Sequence, residues 1–193
     1  IRTGGRSLVV VMRTPKHDFD LAVGFLYTEG LIKSANDIGT ISYCDDVEQA
    51  HLQNVINVNL TNGWDVEMQN GWQRNFHANA SCGLCGKMTI EAVRQAIPGI
   101  QSQLRIDPAI IYSLADQLQS EQSVFKITGG LHAAGLFNSE GQLQIVREDI
   151  GRHNAVDKVI GQALLAEMFP IDNHILMVSG RASFEIVQKA LFA

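Results

Sequence analysis

Apolar residues fall along this chain in two rhythms. Short uninterrupted runs at 7–13 (SLVVVMR) and 174–179 (HILMVS) predict buried strands. Longer stretches repeat at helical spacing. In 18–32, Asp18 is placed to cap a helix, Leu21, Phe25 and Thr28 share a face, and Gly30 suits its end. Residues 54–60 alternate as a strand, and 64–68 would pair with them across the Asn62-Gly63 turn. Ile90, Val93 and Ile97 recur at helical spacing until Pro98-Gly99 stops them. Asp107-Pro108 then reads as an N-cap followed by a first-turn proline, with Ile111, Leu114 and Leu118 as the apolar stripe. The runs 123–130 and 131–137 predict strand material on either side of Gly129-Gly130, and 138–141 turns the chain into a further strand. Residues 154–168 predict a helix with Val156, Ile160, Ala163 and Leu164 inward, and 182–192 a last helix.

Strands alternating with helices predict a layered α/β domain around a buried sheet. The elements before residue 75 predict a smaller α+β lobe, which gives an expected division into 1–75 and 76–193. No internal repeat or low-complexity tract interrupts either part.

Composition adds limits. The 193 residues are 46% apolar and 18% charged, ordinary for a globular chain. No apolar run approaches the 20 or so residues that a membrane span needs. The formal net charge of -5 argues against a broad nucleic-acid surface, which wants a basic face. Three cysteines in a chain with no recognisable signal sequence predict reduced thiols and a cytoplasmic setting.

The chemistry concentrates in four stretches. In SCGLCGK (81–87), Cys82 and Cys85 stand three apart, each followed by glycine. A structural zinc site would need two further ligands. Cys44 stands too far off to form a second pair, and His77 and His132 could contribute, though no spacing demands them. Zinc deaminases combine H-x-E with P-C-x-x-C. Here no H-x-E occurs, and Ser81 stands where that pattern has proline. A redox pair would sit at a helix start, as this one does, but lacks the preceding strand. A sulfur carrier needs an exposed thiolate on a mobile loop. A helix start and Lys87 would lower the thiol pKa, and Gly83 and Gly86 would free the backbone. TGGLHAAG (128–135) places His132 after a glycine pair, and REDIGRHNAVDK (147–158) gathers Arg152, His153 and several charges at a helix start. SGRAS (179–183) follows a strand and opens a helix. Ser179, Gly180, Arg181 and Ser183 there are the residue types that hold an anion against backbone N–H groups.

Taken together, SCGLCGK, TGGLHAAGLF, EDIGRHNAVDKVIG and SGRASFEIVQKA closely resemble the formate dehydrogenase accessory sulfurtransferases, the FdhD/NarQ family. The resemblance implies a three-layer α/β/α fold similar to cytidine deaminases, with a smaller N-terminal α+β lobe. It implies a sulfurtransferase that takes sulfane sulfur from a cysteine desulfurase. The sulfur passes to the molybdenum of bis-molybdopterin guanine dinucleotide, which then activates formate dehydrogenase. Cys82 would carry the persulfide and Cys85 would be its partner. His132, Arg152, His153, Ser179, Gly180, Arg181 and Ser183 would face the cofactor and the phosphates at its guanine nucleotide end, while Asp149 and Asp157 would orient the bases. A homodimer is expected, with no permanent metal, no nucleic acid and no membrane span. Family members continue past the helix after SGR, so part of the cofactor site is expected outside these residues. The alternatives are a cofactor-binding chaperone without sulfur transfer and a zinc-dependent deaminase-like hydrolase.

Overall fold

A computed structural model describes residues 1–45, 53–63, 77–78 and 102–193. They form a mixed α/β fold. Three short strands open the chain: β1 (Arg2–Thr3), β2 (Arg6–Ser7) and β3 (Val10–Val11). Helix α1 (Asp18–Thr28) follows, then a single 3-10 turn at Ala35–Asp37, β4 (Ile38–Tyr43), β5 (Ile56–Leu60) and β6 (His77–Ala78). The second half holds α2 (Pro108–Glu121), α3 (Ser123–Thr128), β7 (His132–Phe137), β8 (Leu143–Asp149), α4 (Arg152–Leu165), β9 (Ile175–Val178) and α5 (Phe184–Phe192).

The strands form three sheets, ordered β2-β1-β5-β4, β3-β6 and β8-β7-β9. In the last, β7 is central and antiparallel to both neighbours. Its residues alternate between faces, as a pleated strand requires. Ala134 and Leu136 pack with Ala155, Val156, Val159 and Ile160 of α4. Ala133 and Phe137 pack on the opposite side with Leu114 and Leu118 of α2. Helices therefore cover both faces of this sheet. At Gly135, a β-carbon would come within 2.9 Å of the Leu118 Cδ1 atom, so α2 lies against the strand where it has no side chain.

Helix α4 is buried almost all round, from Ala155 to Gly161, because the sheet covers one side and α1 the other. The inward stripe expected from Val156, Ile160, Ala163 and Leu164 is thus only part of its buried surface. The two helices touch backbone to backbone. A β-carbon on Gly24 would collide with the Asp157 carbonyl, and one on Gly161 with the Asp20 carbonyl. Ala22, Val23 and Leu26 of α1 then build a second core with Ile56, Val58 and Leu164.

Several expectations require correction. The buried strand at 7–13 is instead two short strands, with Val10 62% exposed and Met12 68% exposed. Asp18 is the first helical residue of α1 rather than its cap. His17 holds the cap position in a left-handed conformation and forms no side-chain capping bond. The run 123–128 is helical, not extended. The carboxylate of Glu148 accepts the N–H groups of Val124 (2.9 Å) and Phe125 (2.7 Å), fastening that first turn. Ile111 is exposed, leaving Leu114 and Leu118 as the buried stripe of α2. Asp107 caps α2 as expected, its carboxylate accepting Ala109 N–H at 2.8 Å. The strand at 64–68, the helix after the cysteines and the division near residue 75 lie outside the described residues.

Candidate functional site

In the β8-β7-β9 sheet, antiparallel pairing brings the start of β7 beside the ends of β8 and β9. His132 opens β7, Asp149 closes β8, and Ser179 follows β9. Helices α4 and α5 begin at the same end, so three of the motif stretches that stand apart in sequence, 128–135, 147–158 and 179–183, converge there.

Gly180 lies against two of the expected residues. A β-carbon on it would sit 3.1 Å from His132 Nδ1 and 3.5 Å from Arg152 Cβ. Glycine permits that approach where a larger residue would push the histidine or the arginine aside. Arg152 Nε is buried and has no hydrogen-bond partner. One residue on, His153 Nε2 lies 3.2 Å from Ser183 Oγ and 3.9 Å from a Glu185 carboxylate oxygen. Burial, then the charges of Arg152 and Lys189, push the His153 pKa down to about 4, against a weaker opposing pull from Glu185. At neutral pH this imidazole is uncharged. Burial raises the pKa of Glu185, but its own N–H in the first turn of α5, the Ser183 hydroxyl, and the nearby His153 and Arg152 outweigh that and hold it below the usual carboxylate range. A cavity of about 570 Å³ adjoins the cluster, with Leu118, Phe125, Gly130, His132, Met177 and Ser179 among its walls. The arrangement offers N–H donors, one neutral imidazole and an apolar flank, which suits an anionic ligand carrying a ring.

The FdhD/NarQ family profile matches residues 1–193. The chain belongs to the FdhD/NarQ family. It is 46% identical over 197 residues to the sulfur carrier protein FdhD of Mycolicibacterium paratuberculosis, covering all of this chain and 72% of that protein. The sulfur carrier protein FdhD of Sulfolobus acidocaldarius is 44% identical over 188 residues, covering 97% of this chain and 68% of that one. A crystal structure described as a formate dehydrogenase accessory protein from Desulfotalea psychrophila superimposes with a TM-score of 0.68 at 25% identity. It covers 98% of this chain, which spans 66% of that one.

Within this FdhD/NarQ chain the expected site residues separate by position. His132, Arg152 and Gly180 meet, and His153 meets Ser183. Ser179 serves the sheet: its hydroxyl accepts Ala133 N–H at 2.8 Å, and its own N–H donates to the Ala133 carbonyl at 2.9 Å. Arg181 is exposed in the connection between β9 and α5. Cys82 and Cys85 lie outside the described residues. No group of three or more His, Cys, Asp or Glu is gathered as if for a metal ion among the described residues. No helix among them is long and apolar enough to cross a membrane.

Asp149 and Asp157 do not orient Arg152 or His153. Asp149 pairs with Lys158 at 2.7 Å, both fully buried, and accepts from Thr14 N–H, Gly151 N–H and the Asn154 amide. Lys158 also donates to the Thr14 carbonyl at 2.9 Å, and Asn154 to the Met12 carbonyl at 2.8 Å. Asp149, Asn154 and Lys158 of the EDIGRHNAVDK motif thus tie the segment 12–14 to the start of α4. Asp157 instead pairs with Lys189 at 2.8 Å and accepts from the Thr28 hydroxyl at 2.8 Å. Burial alone would favour the neutral amine of Lys189. The Asp157 and Glu29 carboxylates outweigh it and hold the lysine pKa above its ordinary value. This pair joins α5 to α1 and α4. Sequence reasoning missed Lys189, although its spacing of three from Ile186 puts both on the buried side of α5.

Proposed function

We propose that this chain is a sulfur carrier that moves sulfane sulfur from a cysteine desulfurase to the molybdenum of bis-molybdopterin guanine dinucleotide, in service of formate dehydrogenase. One observation carries the reading: the likeness, across the whole of this chain, to curated proteins named sulfur carrier protein FdhD, in a sequence that holds a Cys-x-x-Cys pair. The cluster of His132, Arg152, Gly180, His153 and Ser183 supports it by offering donors to an anionic, ring-bearing cargo.

The Cys82 thiolate attacks the outer sulfur of the desulfurase persulfide. The S–S bond of that persulfide breaks, the desulfurase cysteine leaves as thiolate, and Cys82 holds the outer sulfur as a persulfide. Delivery as sulfide needs two electrons, which the second thiol supplies. The Cys85 thiolate attacks Cys82 Sγ, hydrosulfide departs to the metal, and a Cys82–Cys85 disulfide remains for a cellular dithiol to reduce. On the cargo, the sulfide replaces an oxygen ligand, which leaves as water with the proton of the hydrosulfide and one proton from solvent. Arg152 and His132 hold the anionic part of the cargo, and the neutral His153 accepts or donates a hydrogen bond without adding charge.

The test is transfer of radiolabel from cysteine in the presence of a cysteine desulfurase. Wild type takes up label that a thiol reductant releases, Cys82→Ala takes up none, and Cys85→Ser keeps the label without passing it on. Equal labelling of Cys82→Ala and wild type rejects the carrier reading and leaves a chaperone that binds the cofactor.

A further inference from the structure

Helix α3 stands over cavities rather than on a core. None of its six residues is buried, and Ile127 is 86% exposed. Gln122, Phe125, Gly129 and Gly130 wall one side of the 570 Å³ cavity beside His132. A neighbouring cavity of about 550 Å³, reaching Asp116, Ser120 and Lys126, shares Gln119, Phe125 and Gly129 with it. So short a helix, with three β-branched side chains in Val124, Ile127 and Thr128, does not persist on its own in water. Ties from outside hold it. The Glu148 carboxylate accepts Val124 N–H at 2.9 Å and Phe125 N–H at 2.7 Å, and the Lys126 ammonium donates to the Ser120 carbonyl at 2.7 Å. Glu148 itself sits in β8 opposite Ala133, and its carbonyl accepts from the buried Lys158 at 3.3 Å, so the anchor belongs to the sheet. Both ends of α3 are joints. Gln122 leaves the helical region with ψ 75°, and Gly129 is left-handed with φ 66°. A β-carbon on Gly129 would meet nothing within 4 Å, and one on Gly130 only the Thr128 carbonyl at 3.8 Å, so the chain has room to turn there.

We propose that α3 is a lid on the 570 Å³ cavity, latched by the Glu148 carboxylate and turning on Gln122 and Gly129-Gly130. Opening breaks two hydrogen bonds to a charged acceptor and gives up little apolar contact. That is the profile of a segment that opens locally while the rest of the domain stays folded. Phe125 then leaves the wall, and Leu118, Met177 and Val178 behind it face solvent. Glu148 acts on the cavity only through α3, as a positioning residue. Successive residues of a strand face opposite ways, so Glu148 holds α3 on one side of the sheet while Asp149 holds Thr14 on the other. The lid goes beyond the sulfur-carrier reading and assumes nothing about the cargo.

The experiment needs no ligand. In the whole chain carrying Met177→Cys, alkylation by N-ethylmaleimide is followed by mass spectrometry on the peptide that holds residue 177. Hydrogen exchange reads the amides of Lys126 and Gly129, bonded to the Gln122 and Phe125 carbonyls, against that of Leu136 in the central strand β7. Without further substitution, the two α3 amides are expected to exchange at least about a hundredfold faster than Leu136. Glu148→Ala removes the latch and is expected to speed both the alkylation and the α3 exchange at least about tenfold, with Leu136 unchanged. Lys126→Met, at an exposed position, is expected to speed both about threefold. It decides the matter should Glu148→Ala fail to fold, and unchanged rates in it then overturn the proposal. The proposal is also overturned if the α3 amides exchange as slowly as Leu136, or if Glu148→Ala does not speed alkylation at residue 177. Acceleration of Leu136 in step with the α3 amides overturns it too, since Glu148 would then be an ordinary support of the whole fold.

Discussion

Two regions meet on α4, and they treat charge in opposite ways. Along its buried length Asp149, Lys158, Asp157 and Lys189 are each paired at 2.7–2.8 Å. At its first turn, Arg152 keeps a buried N–H without a partner, and His153 shares only a 3.2 Å contact with Ser183 and a 3.9 Å approach to Glu185. The first region has spent its donors on the fold. The second holds donors in reserve, at the end of the sheet where β7, β8 and β9 converge. A charge-rich motif is therefore not one functional unit: EDIGRHNAVDK alternates between residues that fasten neighbouring segments and residues that face outward. Asn154 and Lys158, four apart, share the side that faces 12–14, while Asp157 lies one turn beyond His153, where Lys189 reaches it.

Removing one partner of a fully buried pair exposes the difference most strongly. Lys158→Ala leaves Asp149 charged in the core and is expected to cost about 3–5 kcal/mol in chemical denaturation. Gly161→Ala, at the helix crossing, should cost about 1–3 kcal/mol by the same measurement, because the Asp20 carbonyl has to move. Arg152→Ala should change unfolding by less than about 1 kcal/mol, since it breaks no paired contact of Nε, yet weaken pyrophosphate binding about tenfold in calorimetry. If Arg152→Ala instead unfolds the protein with phosphate affinity intact, the contrast between the regions fails.

Acid offers the most selective probe. His153 titrates near 4 in the folded chain and near 6.5 when unfolded. Between those values the unfolded state binds the extra proton, so stability falls as pH drops from about 6.5 to about 4. Urea midpoints at pH 7 and 4.5 should therefore lie closer together in His153→Gln than in wild type. NMR should find the wild-type imidazole uncharged at pH 5.5.

The sequence made visible what local pattern controls. Asp107 caps α2, β7 and β8 flank the 138–141 turn, and α4 forms where a helix was expected, though it runs Arg152–Leu165 rather than 154–168, because each follows from spacing within the element. The convergence of His132, Arg152, His153 and the SGRAS stretch was also legible, since small residues and donors gather where strands give way to helices. Distant partners hid the rest. Residues 123–128, rich in β-branched side chains, fold as a helix because Glu148 caps them from over 20 residues away. The strand β4 has no clean alternation and was not anticipated. It forms by pairing with β5, from Ile38 opposite Leu60 to Tyr43 opposite Ile56. Asp149 and Asp157 looked like helpers of the bases because nothing local shows that Asp149 holds Lys158 and also Thr14, 135 residues away, or that Asp157 holds Lys189, 32 residues away.

The glycine contact between α1 and α4 also bears on how this chain tolerates change. Propensity scales rank alanine above glycine in the middle of any helix, so consensus engineering would replace Gly24 and Gly161 first. Here those two replacements would drive apart the strut that carries Arg152 and the helix that carries Asp18. In a library of random variants both positions should accept nothing else, a pair of blank columns in the midst of otherwise permissive helical sequence.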